Sequence, residues 1–200
     1  MLIVGITGSF GTGKTTVAKF FKQFGAKLID ADKIAHQLLK TNSTIYKNII
    51  QNFGKRILKD GSLNIERRKL AKVVFKHRTL LNKLNKIIHP AVIREIKKEI
   101  RRIKSYFPHK IIAIEAPLLI EAGLLNLVDK LVVVTAHKNI QISRIKKIKN
   151  LSKGEIELII KAQLPLKEKL KSADYVVDNN GSLEYTKKQV REIWELCKNF

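Results

Sequence analysis

Gly8-Ser9-Phe10-Gly11-Thr12-Gly13-Lys14-Thr15-Thr16 fits the pattern G-x-x-x-x-G-K-[ST], with Gly8, Gly13, Lys14 and Thr15 at its four fixed positions. The flanks match what that pattern needs. Before it, Leu2-Ile3-Val4-Gly5-Ile6 is a short apolar, β-branched run suited to a buried parallel strand. After it, Val17, Ala18, Phe20, Phe21 and Phe24 recur at helical spacing until Gly25 ends the run. A strand, a glycine-rich turn and a helix N-terminus together form a cradle for a polyphosphate. The glycines turn successive N–H groups inward, and the helix dipole adds partial positive charge. Gly8, Gly11, Thr12, Gly13, Lys14, Thr15 and Thr16 are therefore the candidate nucleotide-binding residues. Lys14 is expected to reach the β- and γ-phosphates, and the Thr15 hydroxyl to ligate Mg²⁺. The expected ligand is a nucleoside triphosphate.

The alternation of short apolar runs with helical patterns extends the reading to an α/β fold. Leu28 and Ile29 suggest a second strand ending at Asp30, followed by a helix with Ile34, Ala35, Leu38 and Leu39 on one face. Residues 42 to 104 read as helix after helix. Asp60-Gly61 marks a turn there, and His89-Pro90 is expected to break a helix, because the residue before proline is biased out of that conformation. Lys110 to Glu115 reads as a buried strand, Leu131 to Thr135 as another, and Tyr175 to Val177 as the last. Residues 138 to 171 read as helical and basic, and the chain ends in an amphipathic helix carrying Trp194. The expected architecture is a three-layer α/β/α domain with a parallel sheet. The helical block over 42–104, set between two strands, reads as an insertion that builds a second wall over the site.

Composition sets outer limits. The chain carries 40 Lys and Arg against 17 Asp and Glu, a formal charge of +23. That balance suits a polyanionic partner, either nucleic acid or a strongly anionic small molecule. The cations are spread along the whole sequence and aromatics are only 6%, so stacking platforms for bases are few. A lysine-rich solvated surface accounts for the same numbers. The single cysteine, Cys197, excludes an intrachain disulfide and a cysteine metal cluster, which fits a reducing, cytoplasmic compartment. The N-terminal apolar run is too short to span a membrane and leads directly into the loop.

A phosphate loop alone does not say where the γ-phosphate goes. Transfer to an alcohol needs a carboxylate to orient the hydroxyl and take its proton. Asp30 and Asp32 both follow the second strand, where α/β sheets place ligands. Asp32 is the candidate base, and a helix N-cap is the alternative for either residue. Glu115, ending the third strand, is a candidate to hold Mg²⁺ or simply a polar strand end. Arg144 stands in the basic helical segment, able to clamp a transferring phosphoryl group or to remain one solvated cation among many.

Beyond the loop, the sequence resembles the dephospho-CoA kinase family over nearly its whole length. Gly5-Ile6-Thr7-Gly8 through Thr15 matches its extended loop, and Asp30-Ala31-Asp32-Lys33-Ile34-Ala35-His36 matches its D-A-D-x-[IA]-A-H signature. Arg67, Leu70, Val74 and Phe75 meet a third pattern, His89-Pro90 a fourth, and Pro117-Leu118-Leu119-Ile120-Glu121 a fifth. Gln163, Pro165, Lys169, Ala173, Asp174, Tyr175 and Asn179 meet the sixth. Each signature is weak alone, but all occur in the family's order. The resemblance implies ATP- and Mg²⁺-dependent phosphorylation of the ribose 3′-hydroxyl of dephospho-CoA. No nucleic acid or membrane partner is expected, and the expected state is a monomer or weak homo-oligomer. The resemblance implies acceptor contacts at Asp32, Arg67, His89 and Pro117 and a catalytic set of Asp32, Lys14 and Arg144. It also implies a nucleotide-binding core of residues 1–40, 105–137 and 167–200, a helical acceptor part over 41–104 and a lid over 138–166. One departure stands out. The family's second lid arginine falls at Ile148 here, between Lys147 and Lys149. Two rivals remain at this level: a nucleoside or nucleotide kinase with another acceptor, and a nucleic-acid-stimulated ATPase.

Overall fold

The computed structural model describes residues 1–41, 43–75, 77–148 and 151–200, with Ile148 described by its backbone alone. The chain divides into two compact units, residues 1–30 with 99–200, and residues 31–98.

The first unit is built on a five-stranded parallel sheet in the order β2-β3-β1-β4-β5. The strands are β1 (Ile3–Thr7), β2 (Lys27–Asp30), β3 (Ile112–Glu115), β4 (Lys130–Thr135) and β5 (Tyr175–Asp178). All are short, and the three central strands β1, β3 and β4 are nearly all apolar and buried, rich in Val and Ile, as strands covered on both faces require. Alternation sends Val4, Ile6, Ala113, Val132 and Val134 to one face, where they pack with α1 (Lys14–Phe24) and α9 (Leu183–Lys198). Trp194 of α9 meets Phe21 of α1 edge-on, with ring centroids 6.2 Å apart. On the other face, a side chain at Gly5 would press on Leu119 Cδ1 at 2.8 Å, so glycine there lets the turn after β3 lie close to the sheet.

Register aligns the carboxyl ends of the strands. Ile6 pairs with Glu115, Asp30 pairs with Glu115, Thr7 with Val133, and Thr135 with Asp178. Connections leave the adjacent strands β1 and β3 in opposite directions, and α/β sheets bind ligands at such a switch point. The remaining helices of this unit are α6 (Lys138–Ile148), α7 (Lys153–Lys161) and α8 (Leu166–Leu170). Ser152 opens α7 with a capping box closed by Glu155, and Pro165 precedes α8.

The second unit is helical: α2 (Ala31–Leu38), α3 (Thr44–Phe53), α4 (Arg67–Val74) and the first part of α5 (Arg78–Tyr106). Ile49, Phe53, Ile57, Leu70, Val74 and Leu84 form its core. The expected turn at Asp60-Gly61 is present, with Gly61 at φ +68°.

The expected break at His89-Pro90 is absent. Helix α5 runs unbroken through Pro90, which denies the Lys86 carbonyl its usual partner. Leu84 before the proline and Ala91, Val92 and Ile96 after it are all buried. Burying several such side chains, each worth about 1.5–3 kcal/mol at full size, outweighs the roughly 3 kcal/mol that an interior proline costs. The third strand is also shorter than its sequence suggests. Ile111 lies before β3, although its carbonyl still accepts from the Lys27 N–H at 2.9 Å.

Candidate nucleotide-binding site

The loop between β1 and α1 is shaped by close approaches that only glycine permits. Gly13 has φ +90° and is the N-cap of α1, and a Cβ there would collide with Asn179 Nδ2. At Gly8 a Cβ would run into the Val134 backbone carbonyl. The N-cap Gly13 offers no side chain, and the first turn of α1 carries no acid, so among the described residues its own start supplies nothing that offsets the positive end of the helix dipole. Thr12 Oγ1 donates to the Ser9 carbonyl at 2.9 Å, and Lys14, although charged, is buried with Nζ 3.2 Å from the same carbonyl. Lys14 is thus folded along the inside of the loop.

Other elements of the first unit converge on it. Thr15 Oγ1 donates to Glu115 Oε1 at 2.6 Å, joining the start of α1 to the end of β3. Gly11 lies so close to α6 that a Cβ would meet Ile145 Cδ1 at 2.7 Å and the Gln141 carbonyl at 2.9 Å. From the same helix, Arg144 brings Nη1 within 3.7 Å of where a Gly13 Cβ would sit. This Nη1 and Gln141 Oε1 are buried with no hydrogen-bond partner among the described residues. A buried guanidinium donor without an acceptor is expensive and calls for an anionic partner. Asn179, after β5, donates to the Thr12 carbonyl at 2.7 Å and accepts from Thr186 Oγ1 at 2.8 Å. It braces the loop from below.

Of the sequence-predicted residues, Gly8, Gly11, Thr12, Gly13, Lys14, Thr15, Thr16, Glu115, Pro117 and Arg144 all belong to the first unit. Asp32, Arg67 and His89 belong to the second. Asp32 is exposed in the first turn of α2, rather than at its cap, because the helix begins at Ala31 directly after β2. Arg67 is the exposed first residue of α4, and His89 is half-buried in α5. The Pro117 carbonyl accepts from Thr7 Oγ1 at 3.3 Å and Lys169 Nζ at 2.6 Å. The side chain of Ile148, and Lys149 with it, lie outside the described residues. Gln141 went unnoticed in the sequence, since one glutamine in a basic helix carries no local signal. Asn179, Gln163 and Lys169 stood out only as members of a family signature, without roles.

The donor set suits Mg²⁺. A hydroxyl and a carboxylate within hydrogen-bond reach supply hard oxygen ligands, and Mg²⁺ on a nucleotide draws its remaining ligands from phosphates and water. No group of three or more His, Cys, Asp or Glu gathers around a point among the described residues, so a cage made by protein alone is not available.

A phosphate loop leading from the central strand of this parallel sheet, faced by the buried Nη1 of a half-buried arginine, defines a P-loop kinase fold. Shikimate kinase from Bacteroides thetaiotaomicron shares that fold, with a TM-score of 0.54 at 14% identity, covering 98% of this chain and 97% of that one. Within the class, the family model described as dephospho-CoA kinase matches residues 2–185, and the chain belongs to that family. It is similar to the dephospho-CoA kinase of Aquifex aeolicus, 41% identical over 96% of this chain and 95% of the other. The corresponding protein of Carboxydothermus hydrogenoformans is also 41% identical, over 98% and 94%. The solved structure of dephospho-CoA kinase from Campylobacter jejuni gives a TM-score of 0.69 at 29% identity, with 98% of both chains covered. No helix among the described residues is long and apolar enough to cross a membrane.

Proposed function

We propose that this protein transfers the γ-phosphoryl group of ATP to the ribose 3′-hydroxyl of dephospho-CoA, giving coenzyme A and ADP, in the cytoplasm. Family membership supports the acceptor. The observation that carries the chemistry is the buried Nη1 of Arg144 against the loop, which has no partner among the described residues. A guanidinium so held is a ready donor to a phosphoryl group that gains charge during transfer.

In this reading the N–H groups at the start of α1 and the Lys14 ammonium bind the polyphosphate. Thr15 and Glu115 would hold Mg²⁺, which neutralises phosphate charge when bound. Asp32 orients the acceptor hydroxyl and takes its proton, while Arg67, His89 and the Pro117 turn contact the acceptor. The helical segment 41–104 is the acceptor-binding part, and residues 138–166 close as a lid that excludes water, so the phosphoryl group goes to an alcohol. Both substrates are polyanions, which a chain of net charge +23 attracts without any nucleic-acid partner.

The test follows ADP release from purified protein with ATP and Mg²⁺, with and without dephospho-CoA, and weighs the product. Release that depends on the acceptor, with a product one phosphate heavier, is expected. Equal slow hydrolysis in both tubes would overturn the assignment.

A further inference from the structure

Side chains close a hydrogen-bonded circuit around the first half of the phosphate loop. Thr7 Oγ1, at the end of β1, donates to the Pro117 carbonyl at 3.3 Å, and Lys169 Nζ donates to that carbonyl at 2.6 Å. Lys169 Nζ also pairs with Glu121, 2.8 Å from Oε1 and 3.1 Å from Oε2. Glu121 Oε1 accepts from the Leu164 N–H at 2.8 Å. The preceding residue, Gln163, accepts at Oε1 from the Phe10 N–H at 2.9 Å. Phe10 lies three residues beyond Thr7, so the path returns to the loop it left.

Lys169 is the central member. Its side chain is 0% exposed, and burial pulls its pKa below the usual lysine value while Glu121 opposes that shift. A buried ion pair rarely contributes net stability over an apolar pair of the same volume. Its value lies in geometry. The ammonium has three donors, and here it ties α8 to the turn after β3, while its partner Glu121 ties that turn to the chain leaving α7. Gln163 then sets the course of the loop at Phe10.

We propose that Lys169, acting through Pro117, Glu121 and Gln163, is a positioning residue for the nucleotide. It holds the arm Gly8 to Gly11 in the shape that receives phosphate. The inference rests on reading the loop as the ATP site, and it adds the residues that keep the loop competent.

Three variants test it: Gln163→Leu, Lys169→Met, and Lys169→Met combined with Glu121→Gln, which removes both charges together. ATP affinity is measured by calorimetry without acceptor, so the result stands apart from the identity of the acceptor. Steady-state kinetics and Tm accompany it. Gln163→Leu is expected to raise Kd and KM for ATP about three- to tenfold, the scale of one lost hydrogen bond, with little change in Tm or in KM for dephospho-CoA. Lys169→Met should lower Tm and raise KM for ATP further. The double variant should recover much of the Tm and keep the raised KM. ATP affinity within twofold of the parent protein in both Gln163→Leu and the double variant would overturn the proposal and leave the circuit a packing feature. If Lys169→Met does not fold, Gln163→Leu alone decides.

Discussion

The hydroxyl of Thr15, the second residue of α1, donates to Oε1 of Glu115, the last residue of β3, at 2.6 Å. The bond brings a helix start and a strand end together in one pair of hard oxygens. Glu115→Gln keeps the shape and an acceptor for Thr15 but removes the charge. Stability should stay within about 1 kcal/mol, because a neutral acceptor replaces a charged one. The Mg²⁺ concentration giving half-maximal activity should rise about tenfold or more, the usual scale for losing a metal-supporting carboxylate. A titration of activity against Mg²⁺ that superimposes on the parent curve would remove Glu115 from the metal site.

Asp32 sits in the first turn of α2, where the helix dipole favours a carboxylate. Asp32→Asn keeps the side chain's size and hydrogen-bonding capacity but cannot take a proton. ATP affinity should be retained, and turnover should fall by about 10²-fold or more, the range for lost general-base help. Near-parental turnover would assign the proton to another group and leave Asp32 a helix-start residue.

The phosphate loop was legible in the sequence because its pattern is local. Gly8 to Thr15 specify a loop whose glycines, lysine and threonine must be adjacent in the chain, and Leu2 to Ile6 supply the strand beneath. Strand ends were legible too, since Asp30 and Glu115 each close a short apolar run, and the register sets them side by side. What escaped depends on tertiary packing. Pro90 reads locally as a break, yet buried neighbours on both sides hold α5 continuous. Lys169 reaches a carbonyl 52 residues away, and Gln163 an amide 153 residues away. No local pattern encodes partners whose meeting depends on strand order. Arg144 lies between these cases: its charge was visible, but its burial against Gly13 was not.

Cys197 is buried in the core between the sheet and α9, and that burial pushes its thiol above its ordinary pKa of 9.0. The folded state therefore keeps a proton that the unfolded chain loses. The resulting stability is complete below about pH 9 and drains away as the pH rises toward the folded value. Cys197→Ala should cost about 1 kcal/mol at pH 7.5 through lost packing. The difference in Tm between parent and variant should then shrink from pH 9 to 10. Lys169, whose shift has the opposite sign, is present in both proteins and cancels in the comparison. A difference that stays constant across this range would contradict the raised thiol pKa.

Arg144 links stability and activity in opposite directions. Its Nη1 is buried beside the loop without an acceptor among the described residues, a penalty carried until an anion arrives. Arg144→Met keeps an unbranched stem of similar length and removes that donor. Without nucleotide, the variant should be as stable as the parent or more so, by about 1 kcal/mol, which is roughly 2–4 °C in Tm for a chain of this size. Adding ATP should reverse the order, because only the parent gains the new charge-assisted bonds. Turnover should fall by about 10²-fold or more, in line with losing electrostatic support for the transferring group. Arg144→Lys should recover only part of it, since an ammonium lacks the planar fork. A variant that loses stability without nucleotide while keeping parental turnover would make Arg144 a structural residue.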